Sequence, residues 1–259
     1  MKLLVDLGNS RVKWAFGAAD RFVAVGEAPY AGGTELRLLL DAGFAPDAIR
    51  IANVTGADAG ARLAAALRER FGVAPVFAGS AAGGAGVRNG YADPAQLGID
   101  RWLAICAAFD RYRAPVCVVD AGTATTIDVV AGSGEHQGGL ILPGLGLMES
   151  ALLGGTGDLA RLAASSRPPG DAPAPATGPV ALGRDTAAAI RNGALQATAG
   201  LAAACLQRTG SGLLILTGGA APPLVEVLLR MAPAMRLEQR PHLVLEGLAL
   251  EPACFRAAT

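Results

Sequence analysis

The sequence predicts an α/β protein built from two related lobes, and three observations predict it. A short apolar run meeting an Asp-x-Gly turn occurs near the start, where Lys2 to Val5 leads into Asp6-Leu7-Gly8. It occurs again near the middle, where Pro115 to Val119 leads into Asp120-Ala121-Gly122. Each turn runs on into apolar chain, Val12 to Phe16 and Ile127 to Val130, so each unit reads as strand, turn, strand. Finally, Ala- and Leu-rich helical stretches lie between and after these units, and 259 residues at 52% hydrophobic content fill one large core or two smaller ones. Two copies are too few for a solenoid and fit two lobes facing a shared cleft.

In chain order, the first unit is a hairpin turning at Gly8-Asn9. Asp58 to Arg70 has the apolar spacing of an amphipathic helix, Pro75 to Phe77 reads as a strand, and Leu103 to Tyr112 as a helix leading to the second lobe. The boundary is expected near Arg113, dividing the chain into residues 1–113 and 114–259. Arg167 to Pro179 carries repeated prolines that remove donors and fix φ, so it is expected to be a surface loop or lid. Thr186 to Leu206 has the composition of a long helix. Leu213 to Leu216 is expected to be the final buried strand, closed by Thr217-Gly218-Gly219.

Charge and composition narrow the function classes. The 22 basic and 22 acidic side chains cancel, so no long-range field favours nucleic acid or anionic lipid, and a small molecule is the expected partner. Asp6 interrupts the N-terminal apolar run well short of a signal segment, and Pro143, Gly144 and Gly146 break the most apolar stretch. A cytoplasmic protein with no membrane span is expected. Cys106, Cys117, Cys205 and Cys254 have no C-x-x-C spacing and are expected to be reduced thiols. His136 and His242 have no partners at ligand spacing, which argues against zinc.

Four stretches carry chemistry. In Asp6-Leu7-Gly8-Asn9-Ser10-Arg11-Val12-Lys13, Gly8 lets backbone approach an anion, while Asn9, Ser10 and Lys13 offer donors to phosphate. Asp6 suits hydrated Mg²⁺, which takes only one or two protein carboxylates beside phosphate oxygens. By itself this is also an ordinary hairpin. Asp120 to Asp128 repeats the turn with the hydroxyls of Thr123, Thr125 and Thr126, and two such loops suit a polyphosphate and its cation. Thr217-Gly218-Gly219-Ala220 reads either as close backbone approach to a nucleoside or as a plain strand-to-helix turn. In Tyr91 to Trp102, Asp100 beside Arg101 reads either as a helix cap or dipole partner or as a base for a hydroxyl next to a guanidinium for an anion.

Asp6-Leu7-Gly8-Asn9-Ser10, then Gly98-Ile99-Asp100-Arg101 after Pro94 and Leu97, then Asp120 to Ala124, then Gly138-Gly139-Leu140-Ile141-Leu142-Pro143-Gly144 follow the order seen in type III pantothenate kinases. The chain resembles that family over nearly its whole length. The Gly-x-Asp-Arg block between two Asp-x-Gly loops is the specific part of the resemblance.

The resemblance implies ribonuclease H-like, actin-like lobes with a nucleotide cleft between them. It also implies ATP-dependent phosphorylation of pantothenate to 4′-phosphopantothenate by a homodimer. Asp6 to Lys13 and Thr123 match ATP contacts, and Asp100 matches the proton acceptor. Gly98, Ile99, Asp100, Arg101, Tyr91 and Thr186 match the pantothenate site. Asp120 matches a ligand for K⁺ or NH₄⁺; alternatively it serves Mg²⁺ or orients its loop. One departure is Asp185, where the family leads to an expectation of Asn before Thr186. Two rivals are a sugar or acetate kinase of the same superfamily and a non-catalytic regulator of gene expression. Against the latter, no helix-turn-helix or basic stripe is visible.

Overall fold

The computed structural model describes residues 1–18, 21–30, 39–41, 43–155, 159, 162, 180–210 and 212–250. In chain order the elements are β1 (Lys2–Leu7), β2 (Arg11–Ala18), β3 (Arg21–Pro29), β4 (Ala48–Asn53), α1 (Ala57–Phe71), β5 (Pro75–Phe77), β6 (Gly83–Gly84), β7 (Val87–Arg88), α2 (Ile99–Tyr112), β8 (Val116–Ala121) and β9 (Ala124–Val130). There follow β10 (His136–Pro143), α3 (Leu145–Gly155), α4 (Thr186–Gln207), β11 (Leu213–Thr217), α5 (Pro222–Met231), β12 (Arg236–Gln239) and α6 (Leu243–Ala249). The chain divides into two compact units. One comprises Met1–Ala114, Val130–Gly138 and His242–Thr259, the other Pro115–Val129 and Gly139–Pro241.

In the first unit, β1 runs antiparallel to β2 and parallel to β4, within a sheet ordered β3-β2-β1-β4-β5. Strand alternation sends Leu3, Val5, Leu7, Val12, Trp14, Phe16, Ile49 and Ile51 to one face, where they form a core with Ala59, Leu63 and Leu67 of α1. The opposite parity, with Lys2, Leu4, Asp6, Lys13 and Arg50, belongs to the other face. There α6 packs on β1, β2 and β4, and also on α2. Lys2 Nζ donates to the Ala249 carbonyl at 3.4 Å, and Arg50 Nη1 donates to the carbonyls of Leu248, at 2.9 Å, and Leu250. Two cations thus complement the negative end of α6.

The second unit repeats the arrangement. Its sheet is ordered β10-β9-β8-β11-β12, with β8 parallel to β11 and β11 parallel to β12. Cys117, Val119, Ala121, Ile127, Val129, Leu214 and Leu216 form its core with Ala194, Ala199, Ala202 and Leu206 of α4 and Leu224, Val227 and Leu228 of α5. Two sheets of one strand order, each with helices, are the related ribonuclease H-like lobes expected from the sequence.

Several expectations need adjustment. Helix α2 begins at Ile99 rather than Leu103, because Gly98 occupies the cap position. Leu213–Thr217 is the final buried strand as expected, but a partly exposed strand, β12, follows it, and its Arg-Leu-Glu-Gln sequence has no apolar run to mark it. The final helix α6 belongs with the first unit, not the second. Cys106 and Cys117 are buried free thiols and Cys205 is a half-buried one, and burial raises Cys117 and Cys205 above the usual thiol range. Cys254 and the Pro-rich stretch Arg167 to Pro179 lie outside the described residues. Among the described residues, no helix is long and apolar enough to cross a membrane.

Candidate active site

The first Asp-x-Gly turn joins β1 to β2. Asp6 is the fifth residue of its six-residue strand and pairs across the ladder with Lys13, which in turn pairs with Glu27 on β3. A row of carboxylate, ammonium and carboxylate therefore crosses the sheet on the face opposite the α1 core. The turn closes through the Gly8 N–H, which donates to the Arg11 carbonyl at 3.0 Å, and Tyr30 N–H donates to the Ser10 carbonyl at 2.9 Å. Asn9, Ser10 and Arg11 are exposed, and Arg11 pairs with Glu27 at 3.1 Å. Leu7 and Val12 bury their side chains in the core, so anything they offer a ligand comes from their main chain.

The second turn, in the other unit, is more elaborate. Asp120 is again the fifth residue of a six-residue strand, and Gly122 N–H donates to the Ala124 carbonyl at 3.0 Å. Two further glycine turns close on it. Gly218, at φ 91°, follows β11 and lies so near that a Cβ there would stand 2.5 Å from Asp120 Oδ1 and 2.3 Å from the Ala121 carbonyl oxygen. Ala220 N–H donates to that same carbonyl at 2.8 Å. Gly144, between β10 and α3, donates to the Thr123 carbonyl at 3.0 Å, and a Cβ there would stand 2.3 Å from the Gly122 oxygen. Only glycine allows the two approaches. The result is a cradle of one carboxylate and several main-chain carbonyls, with Thr123 exposed at its lip. Those are the oxygen donors a hard cation takes, and no cluster of three or more His, Cys, Asp or Glu at metal-ligand spacing exists among the described residues.

The Gly-x-Asp-Arg block opens α2 in the first unit. Gly98 is the cap, Ile99 is buried, and Asp100 lies half-buried in the first turn, where its Oδ1 accepts from the Arg101 N–H at 2.8 Å. Arg101 is only 5% exposed. Its Nη1 donates to the Tyr91 hydroxyl at 2.8 Å, and its guanidinium carbon lies 5.6 Å from the Tyr91 ring centroid. Tyr91, Gly98, Asp100 and Arg101 are therefore brought together around one helix start.

Thr186 is in the second unit, at the first position of α4, and Asp185 is the cap of that helix, its Oδ1 accepting from the Ala188 N–H at 2.8 Å. Asp and Asn cap helices about equally well, which gives the departure at this position a local reason. Two residues around Tyr91 escaped the sequence reading. Asn89 Oδ1 accepts from the Tyr91 N–H at 3.0 Å, and His136, weighed above only as a zinc ligand, stacks on the Tyr91 ring. An Asn two residues before the tyrosine was the only signal for the first; the second lies 45 residues away and had none.

A family model described as type III pantothenate kinase matches residues 2–208. Curated relatives named type III pantothenate kinase include one from Aromatoleum aromaticum, 40% identical over 96% of this chain and 97% of that protein, and one from Nitrosococcus oceani, 34% identical over 96% and 92%. Among solved structures, the activator of the 2-hydroxyisocaproyl-CoA dehydratase from Clostridium difficile with bound ADPNP aligns over 96% of this chain and 92% of its own, with a TM-score of 0.52 at 10% identity. The (R)-2-hydroxyglutaryl-CoA dehydratase component A from Acidaminococcus fermentans aligns over 99% and 96%, with a TM-score of 0.51 at 14% identity. At those identities the likeness is one of fold.

Proposed function

This chain belongs to the type III pantothenate kinase family, and we infer that it transfers the γ-phosphoryl group of ATP to the primary hydroxyl of pantothenate, the first step of coenzyme A biosynthesis. The observation that carries the kinase reading is the carboxylate at the fifth position of the first strand in both sheets, each followed by a glycine turn. The acceptor is named by family membership.

The assignments of individual residues are our proposal. Asn9, Ser10, Arg11 and Lys13, with the Gly8 main chain, bind ATP phosphates from residues 1–113, the N-terminal lobe. Thr123 and the Gly218 turn bind ATP from the second unit. Asp6 holds Mg²⁺ through water, and its half-buried carboxylate beside Lys13 fits an ion that keeps most of its hydration shell. Bound Mg²⁺ neutralises charge developing on the β- and γ-phosphate oxygens. Asp120 and the neighbouring carbonyls hold K⁺ or NH₄⁺, for which an oxygen-lined cradle closed by Gly218 is suitable chemistry.

Phosphoryl transfer of this kind passes through a loose transition state, so alignment and charge neutralisation carry most of the rate. Asp100 accepts a hydrogen bond from the pantothenate hydroxyl, orients it for in-line attack and takes its proton late. A positioned base of this type contributes about 10²–10⁴-fold. Arg101, held by Tyr91, balances the substrate's negative charge, and Gly98, Ile99 and Thr186 complete the acceptor site. The protein acts in the cytoplasm as a homodimer. Leu140 and Ile141 on the edge strand β10, and Leu147 and Leu152 on α3, are exposed apolar side chains that support a partner surface there.

A coupled assay for ADP tests the reading. Release should require pantothenate as well as ATP and should vanish in excess EDTA. Release with a sugar or acetate and not with pantothenate would replace the acceptor assignment, and release at full rate in EDTA would remove the metal.

A further inference from the structure

The acceptor block contains an aromatic pair of which only Tyr91 enters the mechanism above. His136, the first residue of β10, is 1% exposed, and its ring lies 13° from parallel to that of Tyr91 with centroids 6.0 Å apart. That separation is within the range of offset stacking. The same tyrosine accepts the Arg101 hydrogen bond at 2.8 Å and lies under the guanidinium.

The main chain of the loop is registered on His136 too. Gly90 lies so close to it that a Cβ would stand 1.8 Å from the His136 carbonyl oxygen. Asn89 completes the arrangement: its Oδ1 accepts from Tyr91 N–H, and its Nδ2 donates to the carbonyls of Ala81 and Pro94 at 3.1 and 3.3 Å. Asn89 therefore holds the loop backbone, and the His136 ring holds the tyrosine side chain. A tyrosine has two rotatable side-chain bonds, and one standing on a loop keeps a single orientation only where a neighbour fixes it.

We propose that His136 is a positioning residue of the acceptor site: stacked on Tyr91, it fixes the ring that holds the Arg101 guanidinium and so sets how the substrate's negative charge is received. This rests on the reading of Tyr91 and Arg101 as pantothenate contacts. The effect belongs to acceptor binding, because His136 acts through Tyr91.

Steady-state kinetics of two variants test it, with melting temperature as the control for folding. His136→Leu fills the volume without a stacking ring and should raise KM for pantothenate by about two- to ten-fold, the size of an aromatic pair's contribution. Its kcat should stay within about two-fold, by the same argument, and its KM for ATP should not move. His136→Phe keeps the ring and loses the nitrogens, and should restore the pantothenate KM. If His136→Leu does not fold, His136→Gln supplies the ringless side chain and the same split is read. An unchanged pantothenate KM, both KM values rising together, or a Phe variant as impaired as the Leu variant each overturns the proposal. A wild-type enzyme whose ADP release ignores pantothenate overturns the function reading and this inference with it. A pantothenate-dependent wild type with an unshifted ringless variant overturns this inference alone.

Discussion

Asp100 stands in the first turn of α2, but Gly98 holds the cap position, and the Asp100 carboxylate accepts from the neighbouring Arg101 N–H. A carboxylate there gains from the helix dipole, by about 0.3–1 kcal/mol at an exposed site. That stabilisation and the proposed role as base make different demands on a substitution. Asn keeps the shape and the hydrogen bond to Arg101 but has no basic oxygen for a hydroxyl proton. Asp100→Asn should therefore lower kcat by roughly 10²-fold or more with little change in melting temperature or in ATP affinity. A folded variant keeping more than about a tenth of wild-type kcat would defeat the role as base, since a positioned base contributes more than that. Asp185 illustrates the opposite case. A charge that looked out of place in the sequence is a helix cap, and its reason is local.

At the scale of elements, the two strand-turn-strand units differ in how much chain closes on them. The β1–β2 turn is largely a hairpin on its own hydrogen bonds, whereas the β8–β9 turn is packed by the glycine turns after β10 and β11. The ambiguous Thr217-Gly218-Gly219 signal is thereby placed against Asp120 and Ala121 by the parallel register of β11 with β8, in which Thr217 pairs with Asp120. Gly218→Ala would put a methyl group 2.3 Å from the Ala121 carbonyl oxygen at φ 91°, a strain of about 1–3 kcal/mol from the backbone conformation alone. It should lower the melting temperature and raise KM for ATP several-fold while sparing KM for pantothenate. A folded variant with an unmoved ATP KM would remove this turn from the nucleotide site.

For the molecule as a whole, the proposed dimer follows from the apolar character of the second unit's periphery. Arg191 is the only charged residue in the 22 residues of α4, and β10 and α3 expose Leu140, Ile141, Leu147 and Leu152. Edge strands and apolar helix faces left in water favour association. Sedimentation at micromolar concentration should give a species of twice the 26.0 kDa chain mass. A lone species of one chain mass across that range would refute the dimer, and Ile141→Glu in a dimeric protein should shift the equilibrium towards that species.

The duplication was legible in the sequence because it is local: an apolar run, an aspartate and a glycine two residues later are contiguous, and strand alternation then puts both aspartates on equivalent faces. The helices α1 and α4 were legible for the same reason, their periodicity and Ala-Leu content being properties of a single segment. Membership in the family was carried by the Gly98 to Arg101 block, again a contiguous stretch. Tertiary structure decided what depends on residues distant in sequence. It turned α6 back onto the first sheet, where Lys2 and Arg50 receive its C-terminal carbonyls, and it added β12, whose polar sequence forms a strand only because β11 offers an edge. It brought Gly144 and Gly218 against the Asp120 turn, and His136 against Tyr91. Contacts of that kind follow from strand order and register, which hydrogen bonds between distant segments set and local propensity does not encode.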